Sequence, residues 1–287
     1  MKKRPVQRAT PRIEEVEISG IAAGGEGVGR LADGRVVFVH RTAPGDRVEA
    51  RIDRERASWA RGSLLRLVRS SADRRPPPCR HYHDCGGCTL EHLTYPAQLA
   101  AKGAIVRDAL ARIAGVSVSL PVVVASPREH RYRNRVSFAL RRLGDGRVIA
   151  GFHALGDPAR IVPIDGDCLL PEEPIATAWD ELRDTWGPNA NRLPAGERLR
   201  LTLRSTAHGR VALLVEGGSG EGRLDELIGR VAALDSVWHQ PSPGTARLIA
   251  GAPGLPETWG DDAFDLAGAA FLQINRGAAA LLEQHVL

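Results

Sequence analysis

Residues 18–39 read ISGIAAGGEGVGRLADGRVVFV, and residues 42–52 read TAPGDRVEARI. In the second stretch Val48, Ala50 and Ile52 alternate with Arg47, Glu49 and Arg51, the pattern of a strand with one buried face. Asp33-Gly34 divides GRL from RVVFV as a hairpin turn, and Pro44-Gly45-Asp46 marks the next turn. Short strands joined in this way predict a small β-barrel over residues 12–69. The run GIAAGGEGVGR invites a phosphate-loop reading. It lacks the Gly-Lys-Ser/Thr ending and leads into a strand, so a turn between barrel strands is the better reading.

On the N-terminal side, MKKRPVQRATPRIEE is basic but has no apolar core after it, so it is not a secretory signal. Residues 1–75 carry 17 Lys/Arg against 10 Asp/Glu, whereas the 287-residue chain as a whole has a net charge of +5. A basic N-terminal module is the electrostatic footprint of a nucleic-acid binder. Lysine occurs only at Lys2, Lys3 and Lys102, so arginine is the default cation and only clusters of it are informative. With 43% hydrophobic and 25% charged residues, and no apolar run near the roughly 18 residues of a membrane span, the expectation is a cytoplasmic monomer without a membrane partner.

On the C-terminal side, Arg74-Arg75-Pro76-Pro77-Pro78 reads as a stiff basic linker into the run CRHYHDCGGC. A helix is predicted from Pro96 to Ala114, with Leu99, Ile105, Val106, Leu110 and Ile113 as its apolar stripe. Residues 121–170 read as strands with a turn at Asp145-Gly146, and residues 172–186 read as a helix. A hairpin turns at His208-Gly209, and GRLDELIGRVAAL reads as a short helix. Hairpins alternating with helices predict an α+β fold. AFDLAGAAFLQIN reads as extended, and Asn275 as the N-cap of a helix whose Ala278, Leu281, Leu282 and His285 share a face. That helix runs to Leu287 without Gly, Pro or a basic last turn, which leads to the expectation that the chain is cut short.

The chain has four cysteines: Cys79, Cys85 and Cys88 close together, and Cys168 in GDCLLPEEP. In a reducing compartment such clusters hold metal more often than they form disulfides. Three compact cysteines plus one distant suit an iron–sulfur cluster. A zinc site also accepts four thiolates but usually takes two CxxC pairs, and only Cys85–Cys88 forms one here. His81 and His83 lie inside the run and are alternative ligands.

The C-x5-C-x2-C spacing with a distant fourth cysteine resembles the RNA (uracil-5-)-methyltransferases that carry a 4Fe–4S cluster. Residues 12–69 resemble the RNA-binding TRAM domain, His130-Arg131-Tyr132-Arg133-Asn134-Arg135 resembles the family's YRNK-type signature, and Phe271-Leu272-Gln273-Ile274-Asn275 resembles its FxQxN signature. TRAM and cluster together look more like the bacterial 23S rRNA enzymes than the tRNA enzyme. The resemblance implies a TRAM barrel at 8–70, a linker, cysteine knot and helix at 71–120, a cluster-bearing central α+β domain at 121–255, and at 256–287 the first elements of a truncated Rossmann-like methyltransferase domain. It implies S-adenosyl-L-methionine and a 4Fe–4S cluster as cofactors, with Cys79, Cys85, Cys88 and Cys168 as cluster ligands. It places Gln273 at S-adenosylmethionine and points to 23S rRNA as partner.

In such a family a cysteine thiolate adds to carbon 6 of uracil, the enolate takes the methyl group, and a carboxylate removes the proton from carbon 5. If all four cysteines hold the cluster, none in this chain remains as the nucleophile, and no catalytic residue is identified. The chain alone is therefore expected to be inactive, and a non-catalytic RNA binder stabilised by a cluster or by zinc is the alternative. Read as one strand, Arg131, Arg133 and Arg135 share a face that suits phosphates or unpaired bases, with Asn134 beside them. Arg41, Arg47, Arg51, Arg54 and Arg56 are further RNA candidates in the barrel, while Trp59 reads as packing, and His153, Trp179, Trp238 and Trp259 as core or surface fill.

Overall fold

The computed structural model describes residues 12–241, 244–268 and 270–286. The basic stretch through residue 11, including the first residues of the expected barrel, and Leu287 lie outside the described residues. The chain divides into two compact units. The first is the chain up to Pro78 together with Cys88–Ala125; the second is Cys79–Gly87 together with Ser126 onward. The stretch 71–120 is thus shared between the two units and is not a body of its own.

In the first unit, β1 (Arg12–Ile21), β2 (Gly27–Arg30), β3 (Val36–Val39), β4 (Arg47–Glu55) and β5 (Trp59–Arg69) close into a barrel in the order β1-β2-β3-β5-β4. Alternation sends Val16, Ile18, Val37, Val39, Val48, Ala50, Ile52 and Ala60 inward as one buried cluster. The barrel is narrow: a Cβ at Gly29 would stand 2.6 Å from the carbonyl oxygen of Glu17. The glycine-rich run enters β2, as its sequence context predicts.

Helix α1 (Tyr95–Ala109) continues as a π-helical turn over Leu110–Ala114 and ends at Gly115 in the left-handed conformation. Its expected apolar stripe is corrected by the structure. Gln98, Ala101 and Gly103 form the buried side, whereas Val106, Leu110 and Ile113 are exposed. Close approach decides this: a Cβ at Gly103 would lie 2.7 Å from the carbonyl oxygen of Pro121.

His92 is buried in the same unit, its Nε2 3.0 Å from the carbonyl oxygen of Thr42. Burial pushes its pKa down to about 4. The unfolded chain therefore takes up a proton that the folded unit refuses, so this contribution is intact above about 6.5 and is lost as pH falls toward 4. The expected loss is about 1.4 kcal/mol per pH unit across that window. Urea unfolding of the wild-type chain and of His92→Gln between these pH values checks it; parallel pH dependences would refute the assignment.

In the second unit, β6 (Arg135–Arg142), β7 (Val148–Ala154), β8 (Asp157–Pro163), β9 (Arg198–Ser205), β10 (Val211–Glu216), β11 (Leu234–Gln240) and β12 (Arg247–Gly251) form one sheet in the order β12-β11-β10-β9-β6-β7-β8. All neighbours are antiparallel except β10 and β11. Helix α2 (Glu173–Thr185) buries Ile175, Ala176, Ala178, Trp179 and Leu182. Trp179 stacks on Phe138 at 3.8 Å and donates its indole N–H to the carbonyl of Ile164. The hairpin β13 (Leu255–Trp259) and β14 (Asp262–Leu266) and helix α3 (Arg276–Val286) complete the unit.

Three expectations are corrected. Residues 121–134 form no strand, and regular structure resumes only at Arg135. GRLDELIGRVAAL contains only a single 3-10 turn, Leu224–Leu227, because Gly229 adopts a positive φ of 82° and breaks the helix. In AFDLAGAAFLQIN, β14 ends at Leu266, and FLQIN pairs by an isolated bridge instead. The cap at Asn275 is present, its Oδ1 accepting the N–H of Ala278 at 3.0 Å. In α3 only Ala279 is buried, and Leu282 stays 59% exposed.

Candidate cysteine centre

Cys79, Cys85 and Cys168 belong to one unit, and Cys88 opens the segment that joins the barrel. Tight turns shape the run: Tyr82 N–H bonds the Cys79 carbonyl, and the N–H groups of Asp84 and Cys85 bond that of His81. The run then pairs with the end of β7, through the Cys85–Ala154 bridge and the Gly86 N–H on the His153 carbonyl at 2.9 Å. The approach at position 86 is close, since a Cβ there would stand 3.0 Å from that same carbonyl oxygen. Gly87 then donates its N–H to the sulfur of Cys85 at 3.3 Å, a backbone–thiolate contact of the kind that tunes iron–sulfur centres.

Cys168 is 6% exposed. Burial pushes its thiol up to about 11, and the neighbouring thiols of Cys79 and Cys85 add to the rise. The three sulfurs are thus close enough to act on one another, and none is in a disulfide. Among the described residues no three His, Cys, Asp or Glu side chains are already set in a metal-holding arrangement. The donor chemistry nevertheless fits an iron–sulfur group: sulfur-only ligands, Cys85 and Cys168 of them buried, with a backbone donor aimed at one. The histidines fit less well as ligands. His81 Nε2 lies 3.2 Å from Asp165 Oδ1, and His83 is exposed. Burial raises the Asp165 carboxyl, but the hydrogen bond from His81 and the charge of Arg80 outweigh this and hold it below its ordinary value.

Arg131 was expected on a strand face open to RNA, and the structure corrects this. It adopts φ 53° and turns its guanidinium onto the loop that carries Cys168. Its Nη1 donates to the Cys168 carbonyl at 2.6 Å, both Nη atoms reach the Gly166 carbonyl at 3.3 Å, and Nε pairs with Glu173 at 3.0 Å. The left-handed backbone also breaks the alternation, so Arg131, Arg133 and Arg135 share no strand face. Asn134 is fully buried. Its Nδ2 donates to the Gln273 carbonyl at 2.8 Å and its N–H to that of Ile274 at 2.9 Å, while Arg133 bridges to Asn275. The two signature stretches read separately in the sequence are therefore backbone partners. The Gln273 side chain itself is exposed.

Beside this pairing lies a cleft of about 440 Å³ whose lining includes Arg128, Arg131, Tyr132, Glu172, Asn275 and Arg276. Arg276 Nη2 donates to the Ser205 carbonyl at 2.6 Å, and its guanidinium pairs with Glu257 at 2.8 Å and Glu172 at 3.3 Å. Arg204, 1% exposed, is pushed down to about 10 by burial, with the charges of Arg135 and Arg276 adding to the effect. Sequence reasoning missed Arg204, Glu257 and Arg276. The alternating RLRLTLRS pattern was the only available signal, and it does not say which arginine turns inward.

Known proteins resemble the chain along most of its length. The TRAM domain family model matches residues 9–65. An uncharacterized RNA methyltransferase of Synechocystis is 32% identical over 290 residues, covering 94% of this chain and 62% of that protein. The 23S rRNA (uracil(1939)-C(5))-methyltransferase RlmD of Halomonas elongata is 38% identical over 159 residues, covering 55% of this chain and 32% of its own. The crystal structure of Pyrococcus abyssi tRNA (uracil-54, C5)-methyltransferase in complex with S-adenosyl-L-homocysteine superposes with a TM-score of 0.66 at 26% identity, covering 94% of this chain and 64% of that one. The chain is similar to RNA (uracil-5-)-methyltransferases, and it spans about 62% of the length of the Synechocystis relative. Among the described residues no helix is long and apolar enough to cross a membrane.

Proposed function

We propose that this chain supplies the RNA-binding and cluster-bearing parts of an S-adenosylmethionine-dependent uracil-C5 methylation of RNA, with 23S rRNA as substrate, acting as a cytoplasmic monomer. What supports this reading is that Cys79, Cys85 and Cys168 lie in one unit, near enough for their thiols to act on one another, with the Gly87 N–H on the Cys85 sulfur. Cys88, three residues after Cys85, is the fourth ligand of a 4Fe–4S cluster. When bound, the cluster supplies a cross-link between distant stretches of chain. The activities of the Halomonas and Pyrococcus proteins support the uracil-C5 chemistry, and the former supports the ribosomal substrate. Arg133 and Arg135 are the RNA contacts within the signature stretch, whereas Arg131 and Asn134 act as positioning residues. The exposed side chain of Gln273 is the candidate contact to S-adenosylmethionine.

Committing all four cysteines to the cluster leaves no thiol among these 287 residues to attack carbon 6. Protein purified without oxygen is expected to carry about four iron atoms per chain and a broad visible iron–thiolate absorbance. It is expected to bind ribosomal RNA without transferring a labelled methyl group from S-adenosylmethionine. Iron-free folded protein would overturn the cluster, and methyl incorporation would overturn the assignment of every cysteine to it.

A further inference from the structure

Alternation along the barrel strands also determines what faces outward. Val37, Val39, Ile52 and Ala60 fill the interior. Their neighbours Phe38, Trp59 and Arg61 then share the outer face, and a register shift between Ile52 and Arg54 brings Arg54 onto it as well: Phe38 pairs with Arg61 across β3 and β5, and Arg54 with Arg61 across β4 and β5. Phe38 and Trp59 meet edge to face with ring centroids 6.4 Å apart. The guanidinium carbons of Arg54 and Arg61 stand 5.6 and 5.7 Å from the Trp59 ring centroid. Together the four side chains line a shallow cleft of about 380 Å³. The sequence alone suggested packing for Trp59, but the core is complete without it, and both aromatic rings remain half-exposed.

We propose that this outer face is a stacking platform for an unpaired base of single-stranded RNA, an inference that rests on the RNA-binding reading above. Every base offers a π-face to an aromatic ring, and arginine stacks on rings while its charge meets phosphate. The two arginines have different tasks. Arg61 is fixed by Glu26, a nearly buried carboxylate 2.9 Å away, so it holds the Trp59 ring in place. Arg47, Arg51 and Arg66 are also held by carboxylates, whereas Arg54 has no such partner among the described residues and is available to the backbone of the bound strand. Charge complementarity thus selects a polyanion as the occupant over an apolar peptide.

The test uses the whole 287-residue chain and a fluorescent oligouridylate of about twelve nucleotides, with an RNA duplex of equal length as control. Trp59→Ala is expected to weaken oligouridylate binding by about 5- to 150-fold, the range of one lost base stack, with duplex binding changed less than about two-fold. Trp59→Phe restores most of the affinity. Arg54→Ala lowers the slope of log affinity against log salt by about one, and Trp59→Ala leaves that slope unchanged. If Trp59→Ala does not fold, photocrosslinking of 4-thiouridine-substituted oligonucleotide to the wild-type chain must label the peptide containing Phe38 or Trp59. Wild-type affinity in Trp59→Ala, or crosslinks confined to other peptides, refutes the platform while leaving the RNA-binding reading intact, and points to a protein partner for this face. A wild-type chain that binds neither RNA refutes the RNA-binding reading and the platform together.

Discussion

Cys168→Ser is expected to yield protein without iron and without visible absorbance, and with a lowered unfolding midpoint. The loop around Cys168 is built mainly by contacts that do not involve its sulfur. Arg131 holds the carbonyls of Gly166 and Cys168, the Arg131 N–H bonds the Leu169 carbonyl at 2.7 Å, and the Cys168 N–H bonds that of Asp165 at 3.2 Å. Serine is nearly isosteric, so the loop should keep its path, and burying a poorly paired hydroxyl costs only about 1–3 kcal/mol. A larger loss measures the contribution of the proposed cluster. Arg131→Ala makes the complementary change: it keeps all four sulfurs and releases the loop. Iron should then be lost to a chelator about 10- to 100-fold faster than from wild type, the usual effect of removing a residue that supports a ligand. Full iron content in Cys168→Ser would remove this residue from the quartet. Zinc in place of iron in the wild-type protein would replace the cluster with a structural metal site.

How far the sequence could be read depended on whether a segment's pattern had one physical solution. The barrel was legible because its strands alternate, and slipping β3 or β4 by one residue would expose Val37, Val39 or Val48. Helix α2 was legible because Ile175, Trp179 and Leu182 leave only one face to bury. Helix α1 was misread because periodicity shows that a stripe exists without showing which side closes on a neighbour; the small residues Ala101 and Gly103, which permit close approach, took the buried side. The signature at 130–135 was recognised as a motif but misread as a strand. Its arginines suggested a cationic face, whereas the left-handed backbone at Arg131 turns one of them onto carbonyl oxygens. The pairing of Asn134 with Gln273 and Ile274 joins positions too distant in sequence for any local pattern to reveal. The cysteines were conspicuous through their rarity, since a chain with only four thiols, three of them in one compact run, invites a common role for the set on spacing alone.

The same blindness to distant pairs hid the charge cluster beside the cleft, and there the second large effect is expected. Arg276→Ala should destabilise the second unit by about 3 kcal/mol, the low end of the cost of orphaning a buried charge. Glu257 has no exposed side-chain surface. Its Oε1 accepts the N–H groups of Ala207 and Thr258 at 3.0 and 2.9 Å, so Oε2 depends on Arg276 at 2.8 Å. Two features keep the loss from being larger. Those two amide donors still solvate the carboxylate, and Arg204 contributes a second positive charge acting on Glu257. The arginine also bonds the Ser205 carbonyl, at the end of β9, and pairs with Glu172 ahead of α2, so its removal loosens the start of α3 from two elements at once. Adding Glu257→Gln to Arg276→Ala removes the stranded charge while keeping an acceptor for the two amides, and should recover at least about 1 kcal/mol. The Glu257→Gln change alone leaves Arg135, Arg204 and Arg276 with less compensating charge and should itself destabilise. A double-mutant cycle from urea unfolding gives the coupling directly. A value below about 0.5 kcal/mol would mean that Arg276 and Glu257 are neighbours without being partners.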